Sequence, residues 1–206
     1  MSITLRQATL DDVPALESLI ARSARGLSTA DYRPAQVEGA LRGAFGVDTQ
    51  LVNDQTYFVA EARQRRGLPQ KSTVPLPEEA GAIVGCGGWS FRSTLFGSDA
   101  RGGRDSSLLD PKSQAAKIRA FFVDPSWARR GIGTLLLERC EDEARARGFC
   151  EVELMATLPG VKLYAVRGYV GAEMVRYEVG EGESIEFIPM RKSLAFRTGD
   201  GAGIKA

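Results

Sequence analysis

A chain of 206 residues, 43% hydrophobic and 26% charged, is long enough to bury one full core. One domain is therefore expected over 1–195, followed by a Gly-rich and polar tail at 196–206. Its 27 basic and 26 acidic residues leave a net charge of +1, which gives no general pull toward nucleic acid or a membrane surface. The chain has no His, which removes the commonest metal ligand and general base, so no metal is expected and zinc or Ser-His-Asp hydrolysis is argued against.

Apolar runs stay well short of the roughly 20 residues that span a bilayer. The first 20 residues also lack the charged start, apolar centre and small-residue cleavage site of a secretory signal, so a cytoplasmic location is expected. Cys86, Cys140 and Cys150 are odd in number and widely spaced. Free thiols follow, with Cys140 and Cys150 packing as small hydrophobes.

Residues 2–8 alternate Ile3, Leu5 and Gln7 against Thr4, Arg6 and Ala8, which predicts a first strand. Asp11 or Asp12 caps a helix with Val13, Leu16, Leu19 and Ile20 on one face and Pro14 in its first turn. Residues 23–33 read as a polar loop, and Pro34 opens a second helix with Val37, Leu41 and Phe45 four apart. Strands are predicted at 56–61 and 82–91, joined by the exposed connection 62–81 with its basic patch Arg63-Gln64-Arg65-Arg66. Gly85, Gly87 and Gly88 in the second of these mark a bulge or a close backbone approach. Gly87-Gly88-Trp89 either lines a cleft or forms a twisted strand with Trp89 in the core. The Gly- and Asp-rich stretch 92–117 is long for a connection, and reads equally as a lid or as a loose insertion.

The densest pattern begins at 118. Residues 118–123 (IRAFFV) form a short apolar strand stopped by Asp124-Pro125, then comes the loop Ser126-Trp127-Ala128-Arg129-Arg130-Gly131-Ile132-Gly133, then a helix from 134 to about 147 closed by Gly148. Strand, basic Gly-rich turn and helix N-terminus together make an anion site. The first helical turn leaves about four N–H groups without partners and carries roughly half a positive charge. Glycines let a bulky ligand approach those groups, and Arg129 and Arg130 supply donors that suit phosphate. The P-loop pattern is absent because no Lys follows Gly133, and the dinucleotide fingerprint fails because Leu136 stands where a third Gly is needed. A further strand at 150–156 leads into TLPGVKLYAVRGY at 157–169, and two antiparallel strands at 171–179 and 184–191 flank the turn Gly180-Glu181-Gly182-Glu183.

Val123-Asp124-Pro125 with Gly131-Ile132-Gly133, and then Tyr164 with Gly168-Tyr169, resemble the two signature segments of the Gcn5-related N-acetyltransferase (GNAT) family. Ala128 stands where the family's loop has Gln or Arg, and Thr157 and Gly160 stand where its second segment has Asn and Ala. The resemblance implies an α/β, three-layer fold: a mixed, mostly antiparallel central sheet of six to seven strands flanked by about four helices. It implies acetyl-CoA as co-substrate, bound through Phe121, Phe122, Val123, Arg129, Arg130, Gly131, Ile132, Gly133, Thr134 and Thr157. Main-chain N–H groups of Phe121, Phe122 or Val123 would polarise the acetyl carbonyl. Tyr164 would be the acid that protonates the leaving thiolate, or else would pack beneath the pantetheine arm. The base would be a water chain or an acid, with Glu151 and Glu153 as candidates.

The resemblance further places the acceptor beside 23–45, which makes Asp31, Tyr32, Arg33 and Glu38 candidate contacts, and dimers are frequent in the family. The expected activity is N-acetylation of a small amine. A protein or peptide N-acetyltransferase and a non-catalytic acyl-CoA-binding module are the alternatives.

Overall fold

The computed structural model describes residues 2–63, 81–171 and 173–194. The basic patch at 64–66, most of the connection 62–81 and the tail 196–206 therefore lie outside the described residues. Seven strands form one sheet: β1 (Ser2–Gln7), β2 (Tyr57–Arg63), β3 (Ala82–Ser90), β4 (Ala116–Val123), β5 (Glu151–Thr157), β6 (Val175–Gly180) and β7 (Glu183–Ser193). Their order is β1-β2-β3-β4-β5-β7-β6. The pair β4/β5 is parallel and the others are antiparallel. No helix among the described residues is long and apolar enough to cross a membrane.

Among the described residues, five α-helices cover the sheet, in keeping with the fold expected: α1 (Val13–Leu27), α2 (Pro34–Leu41), α3 (Thr49–Asn53), α4 (Ile132–Ala146) and α5 (Val161–Val166). One core packs α4 against Phe58, Trp89, Ile118 and Leu154. The other packs α1 and α2 against Tyr57, Val59, Cys86 and Phe187 on the opposite face. Trp89 belongs to the first core and its indole N–H donates to Glu143 at 3.2 Å, so the core reading of that residue holds.

Three local expectations are corrected. The carboxylate of Asp12 does not cap α1; it accepts from the Thr9 N–H at 2.8 Å and pairs with Arg6 at 2.7 Å, across a 3-10 turn at Leu10–Asp12. Residues 23–27 continue α1 instead of starting a loop, because tertiary contact outweighs weak local propensity: a Cβ at Gly26 would lie 2.5 Å from Pro125. Cys150 is exposed, while Cys86 and Cys140 are buried; all three are free thiols.

The long segment between β3 and β4 is tied down along its length. Arg92 pairs with Asp54 at 2.7 Å, and the Asp99 carboxylate accepts from the Thr49 N–H at 3.0 Å. Asp48, fully buried, accepts from the α3 amide of Gln50 and binds both Arg104 at 2.8 Å and Arg119 at 2.6 Å. Arg119 also donates to the carbonyl of Gly97 at 2.9 Å. One carboxylate thus joins the segment to α3 and to β4. Asp48→Ala strands a buried guanidinium, and a loss of about 3–5 kcal/mol of unfolding free energy is expected; chemical denaturation with an unchanged midpoint would refute this.

Candidate active site

The site is built first from a failure of strand pairing. β4 and β5 meet only through Ala116↔Val152 and Lys117↔Glu153, and beyond Lys117 they part. On its other side, β4 shifts register against β3 between Cys86 and Gly88, where Ala120 takes φ 55°. A non-glycine residue in that region costs about 1–2 kcal/mol and bends the strand locally.

Amide direction follows from the ladder. The Asp124 N–H donates to the Val84 carbonyl at 2.9 Å, and Phe122, two residues before Asp124, stands opposite Cys86, two residues after Val84. Antiparallel partners alternate between bonded and non-bonded pairs, so Phe122 faces β3. The amide of Val123 turns the other way, toward the gap. The Val123 N–H is met there by the Ser23 hydroxyl of α1 at 3.1 Å.

The Gly-rich turn that the sequence reads as an anion cradle begins where β4 stops. Asp124 accepts from the Ser126 N–H at 3.0 Å and pairs with Arg22 at 3.1 Å, which fixes the turn Pro125–Trp127. These bonds hold the Asp124 carboxyl below its ordinary pKa, chiefly through the Ser126 side chain. Arg129 then takes φ 63° and Gly131 φ 82°, and α4 starts immediately at Ile132. A Cβ built on Gly131 would meet no atom within 4 Å, because that side of the residue is open cavity wall. At Gly133 a Cβ would press on Leu163 at 2.9 Å, so this glycine lets α5 approach α4.

Ile132 is buried; its side chain occupies the space over Gly85, where a Cβ would be 2.7 Å away. Arg129, Thr134 and Thr157 line the cavity, whereas the Arg130 guanidinium stacks over Trp127 at 4.8 Å outside that lining.

From the cradle a cavity of about 660 Å³ runs through the gap to the α1/α2 face of the sheet. Phe121, Phe122, Val123 and Tyr164 all line it. Tyr164 on α5 is 8% exposed, and its ring lies edge-on to Phe121 at 6.4 Å and to Tyr169 at 5.7 Å. A Cβ at Gly160 would stand 3.2 Å from the Tyr164 ring, so the glycine gives that ring room. Burial pushes the Tyr164 phenol well above its ordinary pKa, with the nearby Cys140 thiol adding to the rise, and so keeps it protonated.

Other residues singled out from the sequence sit elsewhere. Glu153 is held by Lys117 and by Arg191 at 2.5 Å, and Glu151 is exposed beside Arg191 at 3.7 Å; neither lines the cavity. Burial works against the Glu153 carboxylate, yet the hydrogen bonds from Lys117 and Arg191 leave its pKa lowered overall. Tyr32 is buried and structural: its hydroxyl donates to the Glu186 carbonyl at 2.6 Å and accepts from the Leu158 N–H at 2.8 Å. Arg33 pairs with Glu183 and Glu38 with Arg25, each at 2.6 Å, while Asp31 is exposed. Sequence reasoning missed Ser23 and the kink at Ala120. Ser23 had a signal, a polar residue in register with Leu16, Leu19 and Ile20 on an apolar face. Ala120 had none.

Solved structures with the same architecture include three N-acetyltransferases. A GCN5-related N-acetyltransferase from Rhodopseudomonas palustris matches with a TM-score of 0.61 at 19% identity, over 94% of this chain and 96% of that one. The PaiA N-acetyltransferase of Thermoplasma acidophilum, in complex with coenzyme A, matches with 0.59 at 14% identity, over 94% and 99%. The ribosomal-protein-S18-alanine N-acetyltransferase of Escherichia coli matches with 0.55 at 15% identity, over 97% and 98%. No curated protein matches the chain. The family model for the acetyltransferase (GNAT) family matches residues 47–169, from the N-cap region of α3 through β4, the cradle and α5 to Tyr169, and the chain belongs to that family.

Proposed function

We propose that this protein transfers the acetyl group of acetyl-CoA to the primary amine of a small acceptor, by direct attack with both substrates bound. The observation that carries this is the cavity itself, which joins an anion cradle to a buried, protonated phenol through a gap in the sheet. The cradle of Arg129, Gly131, Ile132, Gly133 and Thr134 suits a pyrophosphate, and Arg130 adds charge close by. The parted strands suit a pantetheine arm laid along β4, near Thr157. That the Thermoplasma relative was solved in complex with coenzyme A supports coenzyme A as the ligand. Of the three β4 amides, Phe122 faces β3 and Val123 is engaged by Ser23. The Phe121 amide is therefore assigned to the acetyl carbonyl.

The residues then divide the work. The Phe121 N–H stabilises the oxyanion as the amine nitrogen bonds to the acetyl carbon. Tyr164 gives its proton to sulfur as the C–S bond breaks, and regains one from the amine through water. The products are the N-acetylated amine and free CoA. Glu153 is not assigned as base, because its carboxylate is engaged by two cations. The acceptor must shed its own proton to water.

This arrangement sets the pH profile. The raised pKa keeps Tyr164 in its proton-donating form beyond its ordinary value of about 10. For an aliphatic amine of pKa near 10, kcat/KM should rise about tenfold per pH unit between pH 6 and 9, with no falling limb below pH 10. Calorimetric titration with acetyl-CoA, followed by CoA release across that range, tests both parts. No heat of binding sinks the assignment, and a falling limb between pH 7 and 9 sinks the role of Tyr164.

A further inference from the structure

The end of the cavity beyond the gap has a definite chemistry. Phe122 lies edge-on to Phe45 at 5.8 Å, Phe45 to Phe187 at 6.4 Å, and Phe96 leans on Phe187 at 5.4 Å. All four rings line the cavity, on the same face of the sheet as α1 and α2. Among the described residues, the charged side chains lining the whole cavity are Arg119, Arg129 and Lys162. Arg129 and Lys162 belong to the cradle and to α5. Arg119 belongs to the aromatic end, because it donates to the carbonyl of Gly97, next to Phe96.

A second cation stands behind the rings. The Arg101 guanidinium lies 4.3 Å from the centre of Phe96 and 5.5 Å from that of Tyr177, and its Nη1 donates to the Phe96 carbonyl. Arg104 completes the group, paired with Asp48 and with Asp99 at 3.1 Å. Arg101, Arg104 and Arg119 gather there around the buried carboxylate of Asp48, while Asp99 and Asp105, which also border Arg104, are exposed to solvent. Beside the rings, where water screens least, the excess is therefore positive.

Resting on the acetyl-CoA reading above, we propose that the acceptor is a primary amine carried on an apolar, preferably aromatic, body without a second positive charge. The rings take the body by apolar contact and edge-to-face stacking. The excess positive charge around Arg119 favours the neutral amine, which is the form that attacks. The same charge opposes polyamines, aminoglycosides and other acceptors that bring a second ammonium group. Phe96 is the residue that selects, since it lies on the segment between β3 and β4 and forms the wall between the acceptor and Arg101.

The test pairs two aliphatic primary amines, 2-phenylethylamine and 1,4-diaminobutane, in a CoA-release assay at saturating acetyl-CoA, with acetyl-CoA binding measured in parallel by calorimetry. The expected result is kcat/KM at least tenfold higher for 2-phenylethylamine. Phe96→Asp should lower that ratio by at least tenfold, by removing the ring and adding a carboxylate, with acetyl-CoA affinity retained. Equal or better use of the diamine by the native protein, or turnover of neither amine while acetyl-CoA binds, overturns the acceptor assignment alone. A ratio unmoved in a folded Phe96→Asp that still binds acetyl-CoA overturns the role of Phe96. Lack of acetyl-CoA binding by the native protein overturns the reading beneath it.

Discussion

Gly131→Val should cost the protein its grip on acetyl-CoA while leaving the fold in place. At φ 82° the residue is in the left-handed region. A β-branched side chain there carries about 1–2 kcal/mol of strain, and relieving it rotates the amides that open α4. The added carbons would also project into open cavity wall, where nothing lies within 4 Å to clash with them. They would take up the space that the cradle needs for a phosphate. Affinity for acetyl-CoA should fall by at least about a factor of 10, which is 1.4 kcal/mol, with the thermal midpoint lowered by only a few degrees. Gly133→Val is expected to act by another route, pushing Leu163 and with it the helix that bears Tyr164. Calorimetry beside a melting curve separates the two cases; unchanged acetyl-CoA affinity in a folded Gly131→Val removes the cradle from the mechanism.

Tyr164→Phe should remove chemistry without removing binding. The ring is held by Phe121 and Tyr169, and phenylalanine keeps those edge contacts. On the proposed mechanism, what is lost is the proton for sulfur. A positioned general acid contributes about 100- to 10,000-fold, so kcat should drop by at least about 100-fold while the dissociation constant for acetyl-CoA changes less than about threefold. The deficit should shrink with acyl thioesters whose thiol is more acidic, because a better leaving group needs less protonation. A variant as fast as the native protein would make Tyr164 a packing residue. Equal losses in turnover and in acetyl-CoA affinity would point to a displaced α5.

The parts of the site that obey local rules were legible in the sequence. Asp124-Pro125 stops β4, Gly131 and Gly133 open α4, and Tyr164 stands in a short helix before Gly168-Tyr169. Each reflects a backbone or capping demand that one or two residue types meet. The aromatic end of the cavity was not legible, because its walls come from Phe45, Phe96, Phe122 and Phe187, on four segments with no common spacing. Charge was misleading there as well. Asp31, Arg33 and Glu38 look available in sequence, yet Arg33 and Glu38 are held in ion pairs and Asp31 stays outside the cavity. The ionisable residue that does reach the aromatic end, Arg119, reads in sequence as one more strand position. Its placement depends on Asp48, 71 positions earlier by the difference of their numbers. The end of α1 was misread for a related reason, since the contact of Gly26 with Pro125 cannot be seen in either local stretch.

The parting of β4 from β5 carries a lesson about divergence. A grip made of peptide groups is indifferent to side-chain identity, so mutation can rewrite almost every lining residue without loosening it. Descendants of one ancestor can then drift until 14–19% identity remains, as between this chain and its solved relatives, and still share the fold. On the acceptor reading proposed above, novelty would accumulate at the aromatic side of the opening, and new amine preferences would need only a few substitutions among four phenylalanines.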